Sequence, residues 1–411
     1  MRFDEGFLPN LAADESFVMS GRRRTIQDSP DNPFNPGFGV APPLLAGRQE
    51  TLHSVLTGLS RGPGRHEFHS VIVGPRGTGK TVLLAEIERF VTLERQSVVV
   101  RWSGTESLAQ RITEQQPLVE ALLAGATRRG LRRIEPEVSI KAAPGGVGVE
   151  ARFAARQRHA GPSVHSLLEH LAATARKRHR TVVLLADELQ SAAADDLRQL
   201  GVSIQDVANV RRLPLALVGA GLPNTQQTLQ QAKVSFLERF NFTAIGLLTA
   251  GDTGDAIEIP ITDAGRRITP AALDILVKAS GGYPYAIQLA GSFCWDAAGE
   301  ENELTARHAR VAARKTSDEL SHGVFVTSWQ RVPPGDRTYL VAAAQVISPE
   351  GEARTADIAD LLGRQQSATS ASRDRLINRH GVLYSPTRGV VRFMLPGFAE
   401  WVVRQADTHH P

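Results

Sequence analysis

Residues 74–81 read GPRGTGKT. Glycines, one lysine and one threonine at this spacing fit G-x-x-x-x-G-K-[ST], a loop whose backbone N–H groups converge on phosphate oxygens. A helix start directly after it adds positive potential. Lys80 would reach the β- and γ-phosphates and Thr81 would offer its hydroxyl to Mg²⁺. The candidate cofactor-binding set is therefore Gly74, Pro75, Arg76, Gly77, Thr78, Gly79, Lys80, Thr81 and the adjoining Val82, with ATP and Mg²⁺ as cofactors. Further on, VVLLADE (182–188) supplies a second half. Asp187 can hold Mg²⁺, directly or through water, and Glu188 can orient or deprotonate an attacking water. Alone, an Asp-Glu pair ending an apolar run more often opens a helix. With the loop upstream, it reads as catalytic.

These groups need strands to hold them. HSVIVG (69–74) and SVVVRW (97–102) are short buried-strand runs, TVVLLADE (181–188) is the most apolar, and PLALVGAG (214–221) follows. Helical patterns lie between them: one from residue 42 to 59, one after the phosphate loop, one around 112–130 and one over 163–178. Strands alternating with helices predict an α/β fold, a parallel sheet covered on both faces. From Ile134 to Phe153 the pattern changes to period two around PGG, which reads as a β-hairpin inserted at about 134–155. The organisation expected is an extended segment over 1–40, a nucleotide-binding domain over 41–250, a small helical lid over 251–320 and a separate unit over 321–411.

That last unit carries a different chemistry. RTYLVAAAQV (337–346), TADIADLLG (355–363) and SATSASRDRLINRHG (367–381) read as three helices with a tight turn between the second and third. VLYSPTRGVVRFML (382–395) then reads as two alternating strands, a wing, and PGFAEWVVRQ (396–405) as a closing helix that packs Phe398 and Trp401. From Arg364 to Arg392 six arginines face one acid, Asp374. Arg375 and Arg379 are four apart and so share a helical face, with Asn378 beside them. Arg388 sits at the wing's tip and Arg392 on its second strand. The expected DNA-contacting set is Arg375, Asn378, Arg379, Arg388 and Arg392, and the expected partner is double-stranded DNA.

Composition bounds the rest. The 411 residues carry a formal net charge of +4, too small to argue an anionic partner by itself. Arginine outnumbers lysine heavily throughout, which discounts any single arginine cluster. The single cysteine, Cys294, excludes an internal disulfide and a CxxC-type zinc site. No run of apolar residues is long enough to cross a membrane, and the opening residues lack the order of a secretory signal. These point to a cytoplasmic protein.

The motifs together resemble an AAA+ ATPase of the initiator-like branch, which holds origin-recognition proteins, archaeal-type ATPases and transposon regulators. LLAGRQE (44–50) resembles the box that precedes the phosphate loop and closes over adenine. The resemblance implies base contacts from backbone near Pro43 and Leu44, with Arg48 close by. SFLERF (235–240) resembles the segment carrying an arginine finger, which implies that Arg239 reaches into a neighbour's site in a homo-oligomer. SGGYPYAIQLAG (280–291) resembles the lid motif, which implies that Tyr283 and Pro284 cover the nucleotide. The terminal unit is similar to the winged helix that ends such ATPases. Two departures stand out. The end of the fourth strand, VGAGLPN (218–224), offers only Asn224 where a polar γ-phosphate sensor is expected, and the lid lacks the arginine that many relatives place beside the nucleotide.

The function expected is an ATPase with catalytic residues Lys80, Glu188 and Arg239, which oligomerises on ATP and binds or remodels DNA. The alternative is a nucleotide-switched signalling or defence ATPase whose winged helix contacts a protein partner. A metabolic nucleotide kinase is excluded for want of an acceptor-binding lid.

Overall fold

A computed structural model describes residues 32–37, 41–93, 97–125, 163–234 and 240–408. The inserted hairpin expected at 134–155, the finger candidate Arg239 and most of the 1–40 segment lie outside these residues. The phosphate-loop domain is built on five parallel strands: β1 Ser70–Val73, β2 Val98–Ser103, β3 Val182–Asp187, β4 Leu215–Gly221 and β5 Asn241–Ala244. Their order is β2-β3-β4-β1-β5. Helices α1 Gln49–Ser60, α2 Lys80–Leu93, α3 Leu108–Leu123, α4 Val164–Lys177, α5 Ala194–Ser203 and α6 Thr225–Gln231 accompany them.

The strand sequences dictate this layering. In β3, Val182, Leu184 and Ala186 enter one core with α3, α4 and α5, while Val183 and Leu185 enter the opposite one with α1 and α2. In β4, Leu215 and Leu217 join the first core, and Ala216, Val218 and Ala220 the second. A strand buried on both faces has no polar alternation, hence the continuous apolar runs. The fifth strand was not expected from the sequence. Its NFTA is partly polar because β5 is an edge strand paired only with β1, and its residues are half-buried or exposed.

Beyond the sheet come α7 Ala250–Asp263, β6 Arg267–Ile268, α8 Pro270–Ser280, α9 Pro284–Ala298, β7 Glu303–Leu304 and α10 Ala306–Leu320. The helices fill the stretch expected for a lid. No local pattern marks the two-residue strands β6 and β7, which pair in parallel. Residues 32–37 run along α9: Asn32 Nδ2 donates to Ser292 Oγ (2.9 Å) and Asp296 Oδ1 (3.0 Å), and Phe34 is buried against Gly291.

A π-helical turn, Ser321–Phe325, leads into α11 Val326–Arg331 and the terminal unit: α12 Pro334–Gln345, β8 Ala353–Arg354, α13 Thr355–Leu361, α14 Gln366–Asp374, β9 Leu383–Tyr384, β10 Val390–Phe393 and α15 Phe398–Thr408. The expected third helix is present but ends in a π-helical turn, Arg375–Arg379. The three short strands form an antiparallel sheet in the order β8-β10-β9. Phe398 and Trp401 pack as expected, stacked at 5.7 Å, with Phe325 against both. Lid residues Tyr283, Ala286 and Leu289 belong to this same core.

Candidate nucleotide-binding site

The phosphate loop leaves β1 at the carboxyl end of the sheet, and Asp187 and Glu188 leave β3 at the same end, with β4 between. In open α/β sheets this crevice is where ligands sit. Gly77 and Gly79 have φ of +75° and +89°, a left-handed backbone that a side chain would strain. At Gly77 space forbids one as well, since an added Cβ would lie 2.0 Å from Tyr283 Oη. Lys80 is 6% exposed, and its Nζ donates to Gly74 O (2.8 Å) and Pro75 O (2.7 Å). Burial lowers its pKa to about 8, opposed by Glu188 and Asp187.

Thr81 Oγ1 donates to Asp187 Oδ2 at 2.8 Å, across 106 residues of sequence. A hydroxyl and a carboxylate touching beside a glycine-rich loop form the oxygen donor set that suits Mg²⁺. Glu188 has φ +52°. Its backbone N–H donates to Asp187 Oδ1 (2.8 Å), and its side chain accepts from Gln190 Nε2. Gln190 Oε1 in turn accepts from Leu222 N–H (2.9 Å) just past β4. Arg76 Nη1 lies 3.9 Å from Glu188 Oε1. Asn224, the polar residue singled out at the strand end, precedes α6, and its Oδ1 is buried without a partner among the described residues.

A cavity of about 600 Å³ opens over this loop. Thr78, Gly79, Lys80, Thr81, Val82, Arg76, Gly77 and Glu188 line its phosphate end. Leu44, Leu45, Ala46, Leu248, Ala256 and Ile287 make an apolar pocket suited to a base. Tyr283 and Pro284 line it as anticipated. Burial pushes the Tyr283 phenol up to about 12, reinforced by Tyr285. Pro42 joins Leu44 on the wall, and the adjacent Pro43 is exposed. Arg48 lines the cavity while bracing it: Nη2 donates to Gly246 O (2.5 Å) and Thr78 O (3.2 Å). Burial lowers its pKa, opposed by Asp252.

Sequence reasoning missed four contributors. Asn35 to Gly37 line the cavity from the strap on the lid, and no local motif marks them. Gln190 lies two residues past Glu188 and could have been suspected from DELQ. Arg331 and His380 also line the cavity, brought there only by the tertiary fold.

The arginines of the terminal unit divide in two. Arg375 was expected to face DNA, but its Nε and Nη2 donate to Asp336 Oδ2 (2.9 Å) and Oδ1 (2.6 Å), and Asp336 is buried. That pair holds the Asp336 carboxyl below its ordinary range. Arg392 Nη2 likewise donates to Glu352 Oε1 (2.6 Å). Arg375 is drawn to Asp336 on α12 while its side chain stays partly exposed, and Arg379 is exposed without such a partner among the described residues. Asn378 Nδ2 donates to Asp374 Oδ1 (2.7 Å). Arg388 is exposed at the hairpin tip.

Sheet order, phosphate loop and Asp-Glu pair define a P-loop ATPase domain of the AAA+ class. Residues 44–218 match the family model described as AAA ATPase domain. Residues 322–402 match another, described as domain of unknown function (DUF8462). Over most of its length the chain resembles the Walker-type ATPase PABY2304 of Pyrococcus abyssi, with TM-score 0.57, 12% identity and coverage of 87% of this chain and 96% of that one. It also resembles the ORC2 protein of Aeropyrum pernix, solved as ADPNP–ADP complexes, with TM-score 0.53, 14% identity and coverage of 91% and 98%. Residues 44–218 carry an AAA ATPase domain, and the fold of the chain is shared with both of these structures. A search of curated proteins returned no match. Among the described residues no helix is long and apolar enough to cross a membrane.

Proposed function

We propose that this chain binds ATP with Mg²⁺ in the cavity and hydrolyses it to ADP and phosphate. The observation that carries this is the convergence of Lys80, Thr81, Asp187 and Glu188 beside a base-sized apolar pocket. Lys80 and the loop amides bind the terminal phosphates, and Thr81 and Asp187 hold the metal. When bound, Mg²⁺ supplies charge neutralisation for the phosphates. Glu188, oriented by Gln190, takes a proton from the attacking water. Arg239 is proposed to complete the site of a neighbouring copy in a homo-oligomer assembled on ATP.

We read the terminal unit as a winged helix that engages double-stranded DNA. The support is its helix–strand–helix–helix–hairpin order with exposed Arg379 and Arg388. Cytoplasmic placement goes with this reading. A second reading has its own observation: Arg375 and Arg392 are neutralised internally, and Ile377, Leu383 and Tyr384 face the phosphate-loop domain across a second cavity. In that reading the terminal unit is a protein-contact module of a nucleotide switch. ATPase and gel-shift assays run together separate the two. Salt-sensitive duplex binding with DNA-stimulated turnover supports the first, and turnover without duplex binding at low salt supports the second.

A further inference from the structure

One wall of the cavity carries polar side chains that enclosing a base does not require. It is made by the π-helical turn at Ser321–Phe325 and by α11. Val324, Thr327, Ser328 and Arg331 follow the i, i+3, i+4, i+7 spacing of one helical face, and all four line the cavity. The other face packs Phe325 and Trp329 into the terminal core. The turn that follows Arg375–Arg379 reaches the phosphate end. A Cβ on Gly381 would lie 3.5 Å from the Arg76 amide nitrogen.

Charge then distinguishes one residue on that wall. Lys80 and Arg48 are engaged by backbone carbonyls, and Arg76 lies 3.9 Å from Glu188. Arg331 makes no ion pair or hydrogen bond among the described residues and is exposed. The acid on the same wall, Glu319, acts electrostatically on Tyr285. A guanidinium presents five donors in a planar fork that matches phosphate oxygens, and a concave, partly apolar site strengthens that attraction.

We infer that Arg331 is a phosphate-contacting residue, closing the nucleotide site from the helix that joins the lid to the terminal unit. This rests on the proposal that the cavity binds ATP. The bound nucleotide is then gripped from two sides, by the phosphate loop and by the approach to the terminal unit.

The test titrates ATP, ADP and adenosine into the full chain as wild type, Arg331→Ala, Arg331→Lys and Lys80→Ala. Arg331→Ala should weaken ATP about ten- to a hundredfold, the range for a hydrogen bond between ionised partners. Adenosine affinity and the nucleotide-free melting temperature should not change, and lysine should restore part of the loss. Equal ATP affinity in wild type and Arg331→Ala, while Lys80→Ala has lost it, overturns this inference and leaves the nucleotide site standing. An equal loss for ATP and adenosine overturns the phosphate assignment. No ATP binding by the wild type removes the site and the inference together.

Discussion

Replacing Lys80 by methionine should stabilise the nucleotide-free protein while abolishing its response to ATP. The ammonium is buried, and burial carries its pKa from the ordinary 10.5 to about 8. That displacement corresponds to a penalty of about 3 kcal/mol on the charged form in the folded state. Methionine fills similar space without charge. It leaves Gly74 O without its donor and Pro75 O with Thr78 Oγ1 alone, a cost of about 1 kcal/mol. The balance is about 2 kcal/mol in the variant's favour near pH 7. The sign follows from linkage. Between pH 8 and 10.5 the unfolded chain holds the Lys80 proton and the folded chain does not, so wild-type stability rises relative to the variant across that window. Below pH 8 both states are protonated and the full penalty is present. Denaturant unfolding of both proteins from pH 6 to 10 measures this as a difference curve, in which other titrating groups cancel. ATP with Mg²⁺ at a hundred times its dissociation constant should add about 2.7 kcal/mol to the wild type and nothing to the variant. A variant less stable than wild type at pH 7, or a flat difference curve above pH 8, refutes the reasoning.

Glu188→Gln should keep ATP affinity within about twofold and lose hydrolysis, because it spares Asp187 and Thr81 and removes only the base; a parallel loss of binding in a titration counts against that division. Gln190→Ala should lower kcat about tenfold with little change in Kd, since it frees the Glu188 carboxylate, and an unchanged kcat would remove Gln190 from the site. Arg239→Ala mixed with Glu188→Gln should regain turnover that neither has alone, a finger in trans contributing about a thousandfold or more; co-assembly without recovery argues against it. Arg388→Ala should weaken binding to all duplexes alike and reduce the salt slope by about one, whereas Arg375→Ala should loosen the terminal unit in hydrogen exchange without changing duplex preference, because its partner is Asp336.

The parts of the site that local spacing controls were legible. A phosphate loop needs its glycines and lysine within eight consecutive residues, and a strand buried on both faces must be continuously apolar, so GPRGTGKT and VVLLADE declared themselves. Tertiary pairing hid the rest. Asp336 lies 39 residues from Arg375, and nothing near either residue announces that a buried carboxylate will claim the arginine. Helical spacing puts Arg375 and Arg379 on one face but says nothing of which partner each takes, and Asp336 takes the first. Edge strand β5 escaped for the opposite reason to β3: with one neighbour and little burial, NFTA needs no distinctive pattern. The wall with Arg331 and His380 comes from segments more than two hundred residues beyond the phosphate loop, a distance that no motif spans.

The core shared by the lid and the terminal unit has a mechanical consequence. Tyr283, which caps α9, and Ala286 and Leu289 within it pack among Leu340, Leu376, Leu395 and Phe398, and interiors packed this way slide past one another only at a cost. At the base of α9, Gly281 and Gly282 stand at φ +54° and +74°, and the Gly282 carbonyl accepts a hydrogen bond from Leu248 N–H at 2.8 Å. Rotation about that joint cannot be absorbed within the lid. It would pass to the terminal unit packed on the fifteen-residue helix α9, Arg388 included. Tyr283, whose ring fills the space a side chain on Gly77 would need, thereby ties the terminal unit's core to the phosphate loop itself.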